Sequence, residues 1–169
     1  MLQRLCLILL CCVGCSSGSP EESTPIPTEP VVVIGVPSGD DHLDFTALEA
    51  GALVQLETFF QGGTHLTLAV RCVGLGKSAF VRASIENVAT GARVEANTPT
   101  TNPRPLICRD ETTCDLLPFL VMMSGISEPD EELNGLDVEI VVEAENAAGV
   151  SASDSLPAQL RTDDLDANR

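Results

Sequence analysis

Apolar and polar residues alternate along most of the chain after residue 45, which predicts half-buried β-strands. The clearest predicted strand covers 136–144. Its inward positions are apolar: Leu136, Val138, Ile140, Val142 and Ala144. Its outward positions are mostly acidic: Asp137, Glu139, Glu143 and Glu145. We interpret this acidic ladder as a solvent face whose charge discourages edge-to-edge pairing of strands.

The same period of two recurs in 52–57, 65–72 and 79–86. In the second of these segments Cys72 is predicted to point inward and His65 outward. A turn at Thr90-Gly91 leads into a further short strand at 92–96. No amphipathic helix interrupts the pattern, so we expect an all-β fold, an antiparallel two-sheet sandwich.

Two apolar segments depart from simple alternation. Residues 31–36 are β-branched and predict an opening strand laid on the sheet edge. Residues 116–123 are apolar on both faces, which predicts a strand covered on both sides with Pro118 at a bulge or an edge. The alternative for this segment is an exposed apolar patch that binds a partner.

The turn after the clearest strand carries a family resemblance. Residues 144–149 read Ala-Glu-Asn-Ala-Ala-Gly. They resemble the Ala-x-Asn-x-x-Gly of the last hairpin in immunoglobulin-like and fibronectin type III-like domains. The resemblance implies a sandwich of that type over 45–161.

The first fifteen residues have the pattern of a secretory signal. Arg4 provides a basic start, and the apolar run 5–13 is too short to span a bilayer, which takes roughly 20 residues. Residues 12–15, Cys-Val-Gly-Cys, resemble the lipobox of bacterial lipoproteins. The resemblance implies cleavage after Gly14 and attachment of lipid to Cys15. The alternative is a plain secretory signal that leaves a soluble protein.

The predicted organisation has four parts. Residues 1–14 form the signal peptide, and 15–44 the lipidated cysteine and a tether rich in proline, serine and acids. Residues 45–161 form the sandwich, and 162–169 an acidic tail. This plan resembles envelope lipoproteins of Gram-negative bacteria, which implies an exported protein anchored by its lipid to the cell envelope, at the outer membrane.

The formal charge of −16 argues against binding to nucleic acid, since the phosphate backbone would be repelled. A basic protein partner in the envelope, or a divalent cation between acidic surfaces, fits this charge. Tryptophan and tyrosine are absent and phenylalanine occurs five times. This scarcity argues against a sugar-binding surface built on aromatic stacking.

The cysteines predict one disulfide in the mature chain. With the signal removed and Cys15 lipidated, Cys72, Cys108 and Cys114 are left, and export permits one bridge. Cys108 and Cys114 enclose a short polar stretch that suits a tight loop, so we expect the disulfide there. A bridge that involves Cys72 is the alternative.

Several motifs suggest chemistry and then fail on spacing. Residues 74–78 end like a phosphate-binding loop, but Arg71 stands where that motif needs glycine, so we expect a hairpin turn. His65 and Cys72 are seven residues apart on one strand, which places them on opposite faces and argues against a catalytic dyad. The loop 61–65, Gln-Gly-Gly-Thr-His, is expected to be a structural turn.

Two acidic segments suggest calcium. Residues 130–135 begin like an EF-hand loop, but Val141 stands where the final glutamate is required, and the similar pattern at 164–168 is cut short. We therefore expect no metal site, no cofactor and no enzyme activity. The expected function is that of a membrane-anchored surface module with a structural, adhesive or accessory binding role. The alternative is a sensor that binds calcium or a small ligand through its acidic loops.

Overall fold

The computed structural model describes residues 29–58, 63–96, 102–123 and 133–162. The predicted signal peptide, residues 15–28 of the predicted tether and nearly all of the predicted acidic tail lie outside these ranges. Every regular element within the ranges is a β-strand, which confirms the all-β prediction. In chain order the strands are β1 (Val31–Ser38), β2 (Asp44–Ala47), β3 (Ala52–Thr58), β4 (Thr64–Val73), β5 (Ser78–Asn87), β6 (Arg93–Ala96), β7 (Arg104–Pro105), β8 (Ile107–Cys108), β9 (Thr113–Met123), β10 (Asp137–Glu145) and β11 (Ser151–Arg161).

The described strands form one open, mixed sheet whose main path runs β2-β1-β4-β3-β11-β10-β5-β6. Strand β9 pairs with β4, β8 with β9, and β7 with β5. The expectation of purely antiparallel pairing is wrong at one place, because β3 runs parallel to β11 over 52–55. From Leu56 onward β3 pairs with β4 in antiparallel register instead. Through this change of partner, β3 joins the two halves of the path. One half consists of β2, β1 and β4, and the other of β11, β10, β5 and β6.

The inward faces of both halves contribute to one apolar core. The side of β1, β3, β4 and β9 supplies Ile34, Leu56, Leu68 and Phe119 among others. The side of β5, β10 and β11 supplies Ile85, Ile140 and Leu160 among others. Along β10 the positions Val138, Ile140, Val142 and Ala144 are all buried, as their alternation predicts.

Strand β1 is a full member of the sheet. The strand expected over 31–36 is present and extends to Ser38, with β4 on one side and β2 on the other. Strand β2 therefore takes the edge position expected for β1. The close approach of β2 depends on Gly35, since a Cβ there would meet the Thr46 carbonyl oxygen and lie 2.6 Å from the Phe45 ring.

Strand β9 contains the apolar segment 116–123. Its register with β4 shifts between Leu68 and Val70, which leaves Leu117 and Pro118 without paired positions, so Pro118 lies at the expected irregularity. The expectation that both faces are covered is wrong, because Pro118 and Met122 are exposed while Phe119 and Val121 are buried. The strand alternates in burial although its sequence does not alternate in polarity.

The Asn146 turn joins β10 to β11, and the turn 74–77 joins β4 to β5. Asn146 accepts hydrogen bonds at Oδ1 from the backbone N–H groups of Ala148 and Val150, which closes the β10–β11 hairpin. Its Nδ2 donates to the Leu75 carbonyl at 3.3 Å. The turn 74–77 precedes strand β5, which fits the rejection of a phosphate-binding loop. It is not a hairpin turn, however, because β4 and β5 do not pair with each other.

Candidate functional site

Three cysteines lie in one row across neighbouring strands. Cys72 on β4 is directly opposite Cys114 on β9, and Cys114 is directly opposite Cys108 on β8. Cys108 and Cys114 form a disulfide, as the sequence predicts, and Cys72 is a buried thiol. Burial raises the pKa of Cys72 to about 12, and the negative charge of Asp115 acts in the same direction. A thiol in that environment is a weak nucleophile at neutral pH.

A buried carboxylate next to this row binds two arginines. The Asp115 side chain is fully buried and accepts hydrogen bonds from Arg71 Nε at 2.7 Å and Arg109 Nε at 2.9 Å. Burial alone would raise the pKa of Asp115, but the hydrogen bonds from both guanidinium groups outweigh it and lower that pKa. Because it is paired with two arginines, Asp115 stays ionised, and its role is structural.

The same arginines hold strand β2 and the loop before it. The Arg71 guanidinium lies over the Phe45 ring, 4.2 Å from its centroid, and so makes a cation–π contact. Arg109 donates to the Leu43 carbonyl and lies 3.8 Å from the Asp44 carboxylate. Sequence reasoning missed this cluster, because Arg71 and Asp115 are separated by 44 positions and neither belongs to a motif.

His65 is buried, although it lies on the outward side of β4 as the sequence predicts. Its Nε2 lies 3.1 Å from the Glu57 carboxylate, which also accepts a hydrogen bond from Thr67 at 2.8 Å. The register partners of His65, Glu57 and Met122, are exposed, so His65 lies on the outer face of the sheet and is covered there. Cys72 points into the core instead, and the two side chains do not form a dyad.

Two shallow recesses mark the described surface. One, of about 270 Å³, lies between β1 and β3 and is lined by residues that include His42, Gln55 and Glu57. The other, of about 290 Å³, lies over β5, β10 and β11 and includes Phe80, Arg82 and Glu143. Both fall at or below the lower end of the roughly 300–1,000 Å³ typical of small-molecule sites.

The outer face of β5, β10 and β11 is rich in carboxylates. Glu139 on β10 is directly opposite Glu86 on β5, a like-charge pair of the kind that destabilises a sheet. Glu143 is opposite Arg82, with the charged atoms 4.0 Å apart and both side chains exposed. Along β11 the exposed positions of this face include Pro157, opposite Glu139, and three hydroxyl-bearing residues, Ser151, Ser153 and Ser155. We call this surface the acidic face.

The predicted calcium segments can be followed only in part. Leu133 to Gly135 lie in a described turn, whereas 130–132 and 164–168 fall outside the described ranges. Among the residues that the structure describes, no group of three or more His, Cys, Asp or Glu side chains is arranged to hold a metal ion.

Cys15, the predicted lipid attachment residue, also lies outside the described ranges. Within them, no helix is long and apolar enough to cross a bilayer. Neither a protein-family model nor a curated protein sequence matches this chain.

Proposed function

We propose that this protein is an exported lipoprotein, anchored to the cell envelope through Cys15, whose globular part is a non-enzymatic binding module. The sequence 1–15 supports the anchor, through its basic start, short apolar run and lipobox-like end. The first described strand begins at Val31, so 15 residues, 16–30, separate it from Cys15. Two or three acyl chains on one cysteine would hold such a protein stably at a membrane.

The globular part is proposed to be a two-layer sandwich of the immunoglobulin-like type. Three observations support this. Strand β3 changes partner from β11 to β4, a single core receives side chains from both halves of the path, and Asn146 closes the β10–β11 hairpin. Such domains present loops and sheet faces to partners rather than an enclosed catalytic cleft.

The observation that carries the binding role is the like-charge pair of Glu86 and Glu139 on the acidic face. Two carboxylates at opposed positions repel each other, and that cost is relieved when a basic group of a partner lies between them. The acidic face is therefore proposed to bind a basic protein of the envelope. Its net negative charge would also speed the encounter with such a partner at low salt.

The binding role is tested by neutralising one carboxylate. Glu139→Gln should raise the free energy of unfolding by a few tenths of a kcal/mol, because the repulsion is removed. The same change should weaken capture of basic envelope proteins by the full-length protein. Glu49→Gln, which alters an exposed acid in the loop between β2 and β3, is the matched control and should change neither quantity.

Salt dependence gives the second measurement. Binding through exposed charges should decrease as the ionic strength rises and the Debye length shrinks from about 10 Å at 0.1 M to about 3 Å at 1 M. If Glu139→Gln and Glu49→Gln bind equally well, the acidic face is not the binding surface.

The anchor is tested separately by metabolic labelling with a radioactive fatty acid. The full-length protein should take up label, and Cys15→Ser should abolish it. Cys6→Ser, in the predicted signal, is the matched control and should retain the label. Label that persists in Cys15→Ser would remove the basis for the lipoprotein proposal.

The calcium-sensor alternative remains a prediction from the acidic segments. A site that is filled in the folded state would raise the melting temperature as calcium is added. An unchanged melting temperature at millimolar calcium would rule it out.

A further inference from the structure

The three-cysteine row contains two pairs of directly opposed residues, although only one pair is bonded. Cys114 is opposite Cys108 on one side and opposite Cys72 on the other. Directly opposed residues of antiparallel strands have Cβ atoms roughly 4.5–5.5 Å apart, which is within reach of a disulfide after small adjustment. Cys72 and Cys114 are each only 1% exposed, whereas Cys108 is exposed.

We propose that the Cys72 thiol attacks the Cys108–Cys114 disulfide at Cys114. The exchange forms a Cys72–Cys114 disulfide and releases Cys108 as a reactive surface thiol. The order of the strands favours this exchange. Because β9 lies between β4 and β8, the attacking residue Cys72 and the leaving residue Cys108 lie on opposite sides of Cys114. Displacement at a disulfide proceeds by attack of a thiolate on one sulfur while the other leaves.

The exchange is balanced without an added oxidant. The Cys72 thiol loses its proton to solvent, and the Cys72 thiolate forms a bond to Cys114 Sγ. The Cys108–Cys114 bond breaks, and Cys108 Sγ leaves with the electron pair and takes a proton from water. The number of disulfides and thiols is unchanged, and the free thiol has moved from the core to the surface.

Burial of Cys72 slows this exchange, because it lowers the fraction of the thiol that is ionised. With the pKa of Cys72 raised to about 12 by burial and by Asp115, only about one thiol in 10⁵ is ionised at pH 7. The Cys108–Cys114 bond therefore persists at neutral pH. The ionised fraction of Cys72 rises about tenfold for each pH unit below that pKa.

The exposed Cys108 thiol would accept a small disulfide or a soft electrophile. With a small-molecule disulfide, the Cys108 thiolate attacks one sulfur, forms a mixed disulfide and releases the other half as a thiolate. The structure thus assigns Cys108 as a site of thiol modification that depends on Cys72, independently of the proposed binding role.

The experiment uses iodoacetamide, an irreversible thiol trap, on the folded full-length protein with Cys6, Cys11, Cys12 and Cys15 replaced by serine, at pH 7, 8 and 9. Each cysteine is then assigned separately by peptide mass spectrometry. The expected result is alkylated Cys108 together with a Cys72–Cys114 disulfide, and a labelling rate that rises about tenfold per pH unit. Alkylated Cys72 with an intact Cys108–Cys114 bond would overturn the proposal, as would unlabelled Cys108 after prolonged incubation at pH 9.

Two variants separate exchange from simple opening of the disulfide. Cys72→Ser removes the attacking thiol and should leave Cys108 unlabelled at every pH, so label at Cys108 in this variant contradicts the proposal. Cys108→Ser leaves Cys72 and Cys114 opposite each other as thiols and should form the Cys72–Cys114 disulfide on air oxidation. If both cysteines stay reduced there, the two sulfurs cannot meet and the proposal fails.

Discussion

The Asp154 carboxylate on β11 accepts a hydrogen bond from the backbone N–H of Ile34 on β1, at 3.1 Å and across 120 positions of sequence. At the same place the Ile34 carbonyl accepts a hydrogen bond from the Leu48 N–H at 3.0 Å. A side chain and a loop residue thus take the place of a neighbouring strand along this part of β1. Both backbone groups of a buried residue are satisfied without a strand partner on that side.

Removing this carboxylate should destabilise the domain. Asp154→Ala leaves the Ile34 N–H buried without its acceptor, and we expect the free energy of unfolding to fall by about 1–3 kcal/mol. Asp154→Asn keeps an acceptor oxygen and should lose less. Ser153→Ala, at the exposed neighbouring position, is the control. Urea unfolding followed by far-ultraviolet circular dichroism suits a chain without tryptophan or tyrosine. Equal stability of Asp154→Ala and Ser153→Ala would show that the hydrogen bond contributes nothing.

Gly35 is the point at which β2 lies closest to β1. In Gly35→Ala the new Cβ would collide with the Thr46 carbonyl oxygen, which belongs to the backbone and cannot rotate away. We expect a loss of about 1–3 kcal/mol, the usual cost of overpacking, and faster amide exchange over 44–47 as β2 shifts outward. Val31→Ala, at an exposed position on the same strand, should leave amide exchange in β2 unchanged. Unaltered protection of β2 in Gly35→Ala would contradict the packing argument.

Asp115 should make the stability of the domain depend on pH in acid. Because its pKa is lowered in the folded state, the stabilisation is fully present above its unfolded pKa of about 3.9 and is lost as the pH falls through the folded value. Asp110 acts in the same direction, since hydrogen bonds from the backbone of Thr112 and Thr113 lower its pKa to about 2. The free energy of unfolding should therefore decrease below about pH 4.

Asp115→Asn separates the contribution of the buried carboxylate from the general acid response. At pH 7 this variant should be less stable by about 3 kcal/mol, because two arginines lose their anion. Removing one partner of a buried ion pair costs about 3–5 kcal/mol. We take the low end of that range because Arg71 and Arg109 keep about a third of their side chains exposed. The pH profile of the variant should be flatter than that of the unmodified protein, whereas Glu49→Gln should reproduce the original profile. A variant profile of undiminished slope would show that Asp115 is not responsible.

Asn146 should stabilise the β10–β11 hairpin through both ends of its amide. Asn146→Ala removes three hydrogen bonds and should lower the free energy of unfolding by about 2 kcal/mol. Asn146→Asp keeps the acceptor oxygen and loses only the donation to Leu75, one of the three hydrogen bonds, so we expect about a third of that loss. Ala147→Ser, at an exposed turn position, is the control. Thermal melts of the three variants provide the measurement. An equal loss of stability in Asn146→Asp and Asn146→Ala would contradict the separate contributions of the amide oxygen and the amide nitrogen.

Local features of the fold could be read from the sequence. Alternation along 136–144 predicted the buried face of β10, because side chains on a strand point to opposite faces in turn. The Asn146 turn and the Cys108–Cys114 disulfide involve residues close in sequence, and short-range spacing is enough to suggest them. The acidic outward positions of β10 likewise follow from the same period.

The tertiary structure decided the relationships between distant residues. The parallel pairing of β3 with β11, the burial of His65 and the arginine pair on Asp115 all depend on which strands become neighbours. The position of Cys72 opposite Cys114 has the same origin. Alternation states which side of a strand is buried, but it carries no information about the neighbouring strand or its register. Those are determined by the packing of the whole core, in which contacts between residues far apart in sequence compete for the same buried surface.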